Sequence, residues 1–461
     1  MQCVPTVDGS VLETGARIDL RRHCRAHLPV DQCSFPCVTR PDHRLASGGT
    51  PMSTNSPAFP IDFRDESFLA GDRAQAYAKL RELGTVPWPN MKSTWIVSRH
   101  QDIRDITRST TTRVQPAGTT APAWLDDSPA RDRLRANLVQ IDEPDHSRLR
   151  NVVGPLFIPR RVAQFRDFAT ESVASALSQI TDGETIDAVR QIAVDIPRGV
   201  ICRFLGIPEE DWGCLTESQH DFLMIFSPVP LDELQTTALN AITTFYLDYF
   251  EDFLSTRTAD EHSPYVRLLL EAEARGELSH IEVLSLIHTV LDAGYETTRT
   301  SISNIFEIFA LHPEIFAELK SNPALVETAT EELLRFRSPL HVRERYLVEP
   351  FAASDGTVLP AGAHVILMLA AANRDDTVFD NPNSIDFRRS NANQHLAFGG
   401  GLHHCLGAPI ARLQIQETLK GLITGFDRIE PAGAGSRFPD LIFPALTSLP
   451  VAMRTSDVVR P

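Results

Sequence analysis

The sequence lacks any long apolar run: no stretch of about 18 apolar residues occurs, although a helix needs roughly 20 to span a bilayer. Positive charge is also scarce, since 44 Lys and Arg residues stand against 60 Asp and Glu residues, a formal net charge of −16. This balance disfavours binding of the whole surface to nucleic acid or to an anionic membrane. The N-terminus also lacks the basic-then-apolar layout of a signal peptide, so a cytoplasmic protein without a membrane anchor is expected.

Signals of domain division are missing after about residue 55, where no Gly/Ser run, charge block or repeat of fixed period occurs. Length alone would suggest about three domains. One large domain over 52–461 fits better, and it has ample chain to enclose a buried cofactor.

Residues 1–51 differ in composition, being rich in Arg, Pro, His and Cys without sustained periodicity. We expect a disordered N-terminal extension, and Met52 offers an alternative start. A zinc site in this segment is left open, although no C-x-x-C pair supports one. Four of the seven cysteines lie there: Cys3, Cys24, Cys33 and Cys37.

Helical patterns dominate from about residue 145 to residue 340, and the apolar spacing over 72–84 predicts a further helix that ends at Gly84. Strand-like runs are short: a hairpin around 86–98, and segments at 345–348, 358–359 and 365–369. The sequence therefore predicts a mainly α fold with small accessory β-sheets.

One cysteine stands near the end of a glycine-rich loop. The loop runs from Phe398 to Gly407, with Cys405 two residues before its end and an apolar helical run after it. A thiolate beside a helix N-terminus and backbone N–H groups is expected to stay ionised and can act as an axial metal ligand. Glycines would also let the main chain approach a flat macrocycle. The alternative is an ordinary buried thiol.

The longest helical pattern, over 281–309, is apolar on most faces and should be buried. It contains Gly294, which costs about 1 kcal/mol relative to Ala inside a helix and invites an explanation. Either a ligand approaches there, or Thr297 returns its hydroxyl to the carbonyl of Ala293 and opens the helix locally. Glu296 and Thr297 together could deliver protons to a buried reactant. The alternative is a kinked core helix with a salt-bridged Glu296.

These patterns resemble motifs of the cytochrome P-450 family, and the match covers 95–449. The spacing F-x-x-G-x-x-x-C-x-G resembles its haem-binding loop, and A-G-x-[D/E]-T resembles its distal helix. Glu332 and Arg335, three apart on a predicted helix over 324–337, resemble its E-x-x-R pair. The resemblance, to the soluble bacterial type, implies the P-450 fold in a single large domain. It also implies haem b and a monooxygenase that hydroxylates a hydrophobic small molecule with dioxygen.

The resemblance also implies roles for individual residues. Cys405 would ligate the iron, Thr297 and Glu296 would relay protons, and Arg389 would complete a structural triad with Glu332 and Arg335. Arg343 is left open, as a further propionate partner or as a cationic group at the pocket edge that, with His341, leaves room for a carboxylate handle. The remaining cofactor contacts would come from Ala293, Gly294, Phe398 and Gly407, and the haem propionates would meet His146, Arg150, Arg345 and His403.

No flavin or ferredoxin module is recognisable at either end, so electrons are expected from a separate ferredoxin and its reductase. Arg148, Arg160 and Arg161 could meet an acidic ferredoxin on the thiolate side of the haem. Two other functions stay open, a peroxide-dependent haem enzyme and a haem-binding sensor. The Glu296–Thr297 pair counts against the first, and a proton relay beside an apolar pocket counts against the second.

Overall fold

The computed structural model describes residues 61–455, except 64, 66, 67, 70, 72, 90, 117, 123, 228 and 229. Helices dominate this part of the chain, as predicted. The α-helices are α1 Ala74–Leu83, α2 His100–Arg108, α3 Pro129–Arg135, α4 Asp145–Val153, α5 Pro159–Val162, α6 Arg166–Ser178, α7 Asp195–Leu205, α8 Trp212–Glu217, α9 Gln219–Phe222, α10 Glu233–Ser255, α11 Pro264–Ala274, α12 His280–Leu311, α13 Pro313–Ser321, α14 Val326–Phe336, α15 Leu369–Ala372 and α16 Ala408–Gly425.

Short 3-10 turns and a π-helical turn connect several of these helices. The strands are β1 Val86–Pro87, β2 Thr94–Val97, β3 Thr112–Arg113, β4 Thr185–Asp187, β5 Val342–Leu347, β6 Phe351–Ala352, β7 Val358–Leu359, β8 His364–Met368, β9 Phe426–Pro431, β10 Ser436–Arg437, β11 Leu446–Ser448 and β12 Pro450–Thr455.

The strands form small sheets at the margins of the helical body. The largest sheet has the order β1-β2-β8-β5-β3, in which β2 and β8 are parallel and the other pairs antiparallel. A second sheet has the order β4-β12-β9, and two hairpin pairs, β10-β11 and β6-β7, complete the set. The predicted strands at 86–98, 345–348, 358–359 and 365–369 are confirmed within a few residues.

Helix α12 runs through the middle of the molecule and serves two hydrophobic cores. Its N-terminal half, including Ile287 and Leu291, packs into one apolar cluster, and its C-terminal half, including Ile305 and Phe309, packs into a second. Between these halves lies a polar segment, 296–301, of Glu, Thr, Arg and Ser residues. The helix therefore carries these polar groups where the two cores meet, and the site described below includes some of them.

Some predictions fall outside this part of the chain. The N-terminal extension over 1–51 and the zinc site considered within it lie outside the described residues. Within the described residues, no helix is long and apolar enough to cross a membrane.

Candidate active site

The loop that carries Cys405 is fixed by its own backbone. The Cys405 N–H donates to the carbonyl of Phe398 at 2.9 Å, and a 3-10 turn, Gly401–His403, closes the loop between them. Helix α16 starts directly after Gly407, and the Gly407 N–H lies close enough to the Cys405 thiol to favour its ionised form. The predicted arrangement of a cysteine before a helix N-terminus is therefore confirmed.

Two glycines of this loop allow it to pack closely against α2. Gly401 has φ +64°, and a Cβ there would lie 1.9 Å from the carbonyl oxygen of Thr107 in α2. A Cβ on Gly400 would lie 2.8 Å from the Thr107 hydroxyl oxygen. These two glycines let the loop pack against the end of α2. That glycine also serves the approach of a macrocycle stays a prediction.

The predicted structural triad is present in the structure. Arg335 donates to both carboxylate oxygens of Glu332 at 2.7 Å, and neither side chain is exposed. Arg389 Nε donates to the same carboxylate at 3.1 Å. Arg335 also donates to the backbone carbonyls of Asn373, Pro382 and Ser384, so one buried guanidinium joins α14 to the long segment that leads to the cysteine loop.

A second network, which the sequence analysis missed, holds the cysteine loop from its other side. Arg412 in α16 donates to both carboxylate oxygens of Glu331, at 2.7 and 2.8 Å. His395 Nε2 lies 3.3 Å from the same carboxylate, and the Arg412 guanidinium lies 4.4 Å from the centre of the Phe398 ring. Glu331 and Arg412 are 81 positions apart, so no local spacing in the sequence predicts their pairing. Through its contact with Arg412, the Phe398 ring joins this network to the cysteine loop.

Burial works against the predicted ionisation of the Cys405 thiol. Burial raises its pKa above the usual range, and this effect outweighs the Gly407 N–H and the guanidinium charges that lower it. The guanidinium groups that act on the sulfur belong to Arg150, Arg343 and Arg412. A metal cation that coordinates a thiol deprotonates it outright, so this setting suits a sulfur that is paired with a bound metal.

In the middle of α12, a side-chain hydroxyl bonds back to the helix backbone beside an exposed alanine and a closely packed glycine. The Thr297 hydroxyl donates to the carbonyl of Ala293 at 2.7 Å, which confirms one predicted explanation of the motif. Ala293 is exposed although it lies inside a largely buried helix, so α12 borders an open space at this point. Packing offers one explanation of Gly294, because a Cβ there would lie 2.6 Å from Cδ1 of Ile201 in α7, and the approach of a ligand stays a prediction.

Glu296 is buried in an ion pair. Arg299 Nε donates to Glu296 Oε2 at 3.0 Å, its second nitrogen contacts Oε1, and His220 Nδ1 lies 3.2 Å from Oε1. Burial raises the pKa of Glu296, but the Arg299 and His220 charges prevail and hold it at about 2. Both carboxylate oxygens are engaged by side chains, as in the salt-bridged alternative. Arg299 and His220 were not among the predicted site residues.

Three predicted carboxylate partners cluster beside the cysteine loop. The rings of His146 and His403 lie 4.2 Å apart, and burial, with the charges of neighbouring arginines, lowers the pKa of both. Burial also lowers the pKa of Arg345 to about 10, and Arg345 is close enough to both imidazoles to depress their pKa. The charge of Arg150, the fourth predicted partner, also lowers the pKa of both imidazoles, while its guanidinium donates to the backbone carbonyls of Leu402 and His404, at 3.0 and 2.7 Å.

This cluster contains donors that the described part of the protein leaves unused. Both ring nitrogens of His146 are buried without a hydrogen-bond partner, apart from a 3.9 Å approach of Nδ1 to Glu143. Arg345 makes one hydrogen bond, to the neighbouring carbonyl of Glu344 at 2.6 Å. Buried donors without acceptors are costly. Acidic groups of a ligand would satisfy them, so the donors fit the two propionates of a haem whose iron meets Cys405.

The described residues offer no other kind of metal site, since no group of three or more His, Cys, Asp or Glu side chains there could hold a metal ion. A single thiolate is enough when a macrocycle supplies the remaining ligands. The donor set therefore fits haem better than a bare ion.

Comparison with known proteins agrees with this geometry. The family model described as Cytochrome P450 matches residues 213–436. The chain is 32% identical to mycinamicin IV hydroxylase/epoxidase of Micromonospora griseorubida over 81% of this chain and 92% of that protein. It is also 32% identical to cytochrome P450 monooxygenase PikC of Streptomyces venezuelae, over 77% of this chain and 84% of the relative.

Among solved structures, the fold is similar to P450BioI in complex with hexadec-9Z-enoic acid ligated acyl carrier protein. The TM-score is 0.76 at 27% identity, covering 84% of this chain and 100% of that one.

Proposed function

Because this chain belongs to the cytochrome P450 family, we propose that Cys405 is the axial ligand of its haem iron and that the open side of α12 is where substrate reacts. Family membership makes the chain a haem-binding monooxygenase that acts on a small organic molecule with dioxygen. When bound, haem supplies oxygen activation at iron. The rest of the proposal concerns what this chain's own residues do.

The observation that carries the proposal is the pairing of a rigid cysteine loop with buried donors that lack acceptors. Glu331 and Glu332 are adjacent on α14. Glu331 binds Arg412, which packs on Phe398 of the loop, and Glu332 binds Arg335 and Arg389, which hold the segment before the loop. Such fixation orients the sulfur before any ligand arrives. The haem propionates then bind to His146, His403 and Arg345. The Arg150 guanidinium supports the cysteine loop by donating to backbone carbonyls of the loop. Ala293, Phe398 and Gly407 border the haem through the helix and the loop.

Thr297 is the proton-handling hydroxyl in this proposal. It donates to the carbonyl of Ala293, and a hydroxyl can release that bond and turn toward a reactant on the open side of the helix. Glu296 lies beside it in the chain as a carboxylate, because its pKa of about 2 keeps it ionised. Because Arg299 stays charged at all relevant pH values, a proton that reaches Glu296 must come through its other described partner, His220, which stacks on Phe438 at 3.5 Å.

Electrons come from a separate ferredoxin and its reductase in this proposal, and Arg160 and Arg161 are the contact residues. Both side chains are exposed. Arg148 is less suitable as a ferredoxin contact than predicted, because its guanidinium is paired with Asp145 and Glu282.

The test is turnover by the purified protein with NADH, a ferredoxin and its reductase under isotopically labelled dioxygen. Substrates are first selected from a compound library by their ability to convert the ferric iron from low to high spin. We expect products that carry one labelled oxygen atom and depend on all three protein components. Label-free products, or equal turnover with peroxide alone, would favour the peroxide-dependent alternative, and spin-state changes without any product would favour a sensor.

A further inference from the structure

Two arginines on strand β5 project from the same side of the sheet but into different surroundings. Arg343 and Arg345 are two positions apart, so their side chains share a face of the strand. They pair with Leu367 and Val365 of β8. Arg345 acts electrostatically on His403 and His146, the proposed propionate partners.

Arg343 points toward the substrate side instead. Its guanidinium lies 5.6 Å from the centre of the Phe226 ring, in the 3-10 turn Leu223–Phe226. It is within electrostatic range of Asp292, the residue before Ala293 on α12, and of Cys405. These neighbours place Arg343 between the cysteine loop and the open side of the long helix.

Arg343 has no hydrogen bond and no ion pair within the described portion of the protein, although its side chain is half-buried. Its planar group carries five N–H donors and cannot lose its charge in a protein. Contact with the Phe226 ring offsets only part of the desolvation, since a cation–π contact contributes about 0.5–2 kcal/mol. A buried cation without an anion is costly unless a ligand completes it.

The carboxylates near Arg343 are each engaged by another group. Asp292 accepts a hydrogen bond from the fully buried Arg133 at 3.1 Å. Glu344 Oε2 lies 2.6 Å from His364 Nε2. Farther along α12, Glu296 is paired with Arg299. Among the described residues, the Arg343 guanidinium is therefore a positive charge without an ion-pair partner, in a molecule whose net charge is −16.

The other predicted polar handle, His341, is not available. The Tyr77 hydroxyl lies 2.6 Å from His341 Nδ1, and Arg73 lies 3.4 Å from the same atom. Burial holds the pKa of His341 well below its usual range, so the ring is neutral. Arg343 is left as the group able to select an anionic substrate.

We propose that the substrate carries a carboxylate that pairs with Arg343 on the substrate side of the site. A guanidinium binds a carboxylate through two parallel hydrogen bonds, and a single uncompensated charge suits a monoanion better than a phosphate dianion. The Phe226 ring beside it offers an apolar surface to the adjoining carbon skeleton. This inference rests on the proposed function, because it requires a haem site next to Arg343. The competing source of a carboxylate is a haem propionate.

The experiment uses ω-(imidazol-1-yl)alkanoic acids, from the hexanoic to the dodecanoic acid, with their methyl esters. The imidazole binds haem iron and reports binding by its absorbance change, so the series anchors one end and varies the reach of the other. For at least one chain length we expect the acid to bind the holoprotein about tenfold more tightly than its ester. Arg343→Gln should abolish that preference, and Arg343→Lys should keep part of it.

Arg345→Gln is the matched control on the same strand. We expect it to weaken haem retention, measured by transfer of haem to apomyoglobin, and to leave the preference for acids intact. An acid preference that is absent in the native protein, or that survives Arg343→Gln, overturns the inference. Loss of haem from Arg343→Gln to the extent seen in Arg345→Gln would also overturn it, since Arg343 would then serve a propionate. If imidazoles give no absorbance change at all, the haem site itself is wrong and both proposals fall.

Discussion

The pKa of the buried Glu296 and that of the half-buried Glu331 both lie at about 2, but the two residues differ in what they connect. Glu296 pairs with an arginine one turn away on its own helix and with His220 from α9. Glu331 joins α14 to Arg412 in α16 and to His395 in the segment before the cysteine loop. At the scale of single residues, the first glutamate therefore acts within the proposed proton supply, and the second ties the segments around Cys405 together.

The Glu331 pair should make stability depend on pH. Its folded pKa is lowered from 4.5 to about 2, so its contribution is complete above about pH 4.5 and is lost as the pH falls toward 2. We expect Glu331→Gln to lower the free energy of unfolding by about 2 kcal/mol near pH 7. In urea titrations, the difference in free energy of unfolding between native protein and variant should decrease below pH 4.5. A difference that is constant with pH would contradict the ion pair.

Thr297→Ala removes the hydroxyl that the account assigns to proton handling. We expect dioxygen consumption to continue while product formed per dioxygen falls at least about tenfold and peroxide rises, because proton delivery becomes uncontrolled. Thr297→Ser is the matched control, since it keeps a hydroxyl at the same position, and it should retain most of the coupling. The ratio of product to NADH consumed measures both. Equal coupling in the Ala and Ser variants would remove Thr297 from the mechanism.

At the scale of elements, contact between the cysteine loop and the end of α2 should depend strictly on glycine. Gly401→Ala combines a positive φ with a Cβ only 1.9 Å from the Thr107 oxygen. We expect it to lower thermal stability strongly and to impair haem binding. Gly276→Ala is the control, because Gly276 has φ +73° but nothing within 4 Å of an added Cβ. It should cost only about 1 kcal/mol. Similar losses in both variants would mean that backbone strain, and not the contact with α2, sets the effect.

The elements also show what the sequence could and could not predict. Periodicity located α12 within a few residues, and the three-residue spacing of Glu332 and Arg335 predicted their pairing, because both signals are local. The Glu331–Arg412 contact joins residues far apart in the chain, and the packing of Gly294 on Ile201 depends on how α7 crosses α12. Neither leaves a local pattern. The role of His146 and Arg345 at the propionates stays a prediction.

At the scale of the whole molecule, acidic residues outnumber basic ones, 60 to 44. The net charge of −16 makes long-range attraction of an acidic ferredoxin unfavourable, so docking must rely on a local basic patch. We expect the double variant Arg160→Glu/Arg161→Glu to raise the ferredoxin KM about tenfold. The effect should weaken as ionic strength increases.

The control for this test is Arg190→Glu, which changes an exposed charge with a side-chain exposure of 76% outside the proposed docking patch. It should leave the ferredoxin KM nearly unchanged, apart from the small effect of net charge. The control changes the net charge by two units and the double variant by four. A change in log KM for Arg190→Glu half as large as that of the double variant would therefore show that total charge, and not the Arg160–Arg161 patch, governs ferredoxin binding.

The most direct test of the central claim is the absorbance spectrum of the reduced, CO-bound holoprotein, compared with that of Cys405→His. The account predicts a Soret band shifted far to the red in the native protein, the signature of a thiolate opposite CO, and loss of that shift in the variant although haem remains bound. A native spectrum without the shift, or an unchanged band after Cys405→His, would contradict it.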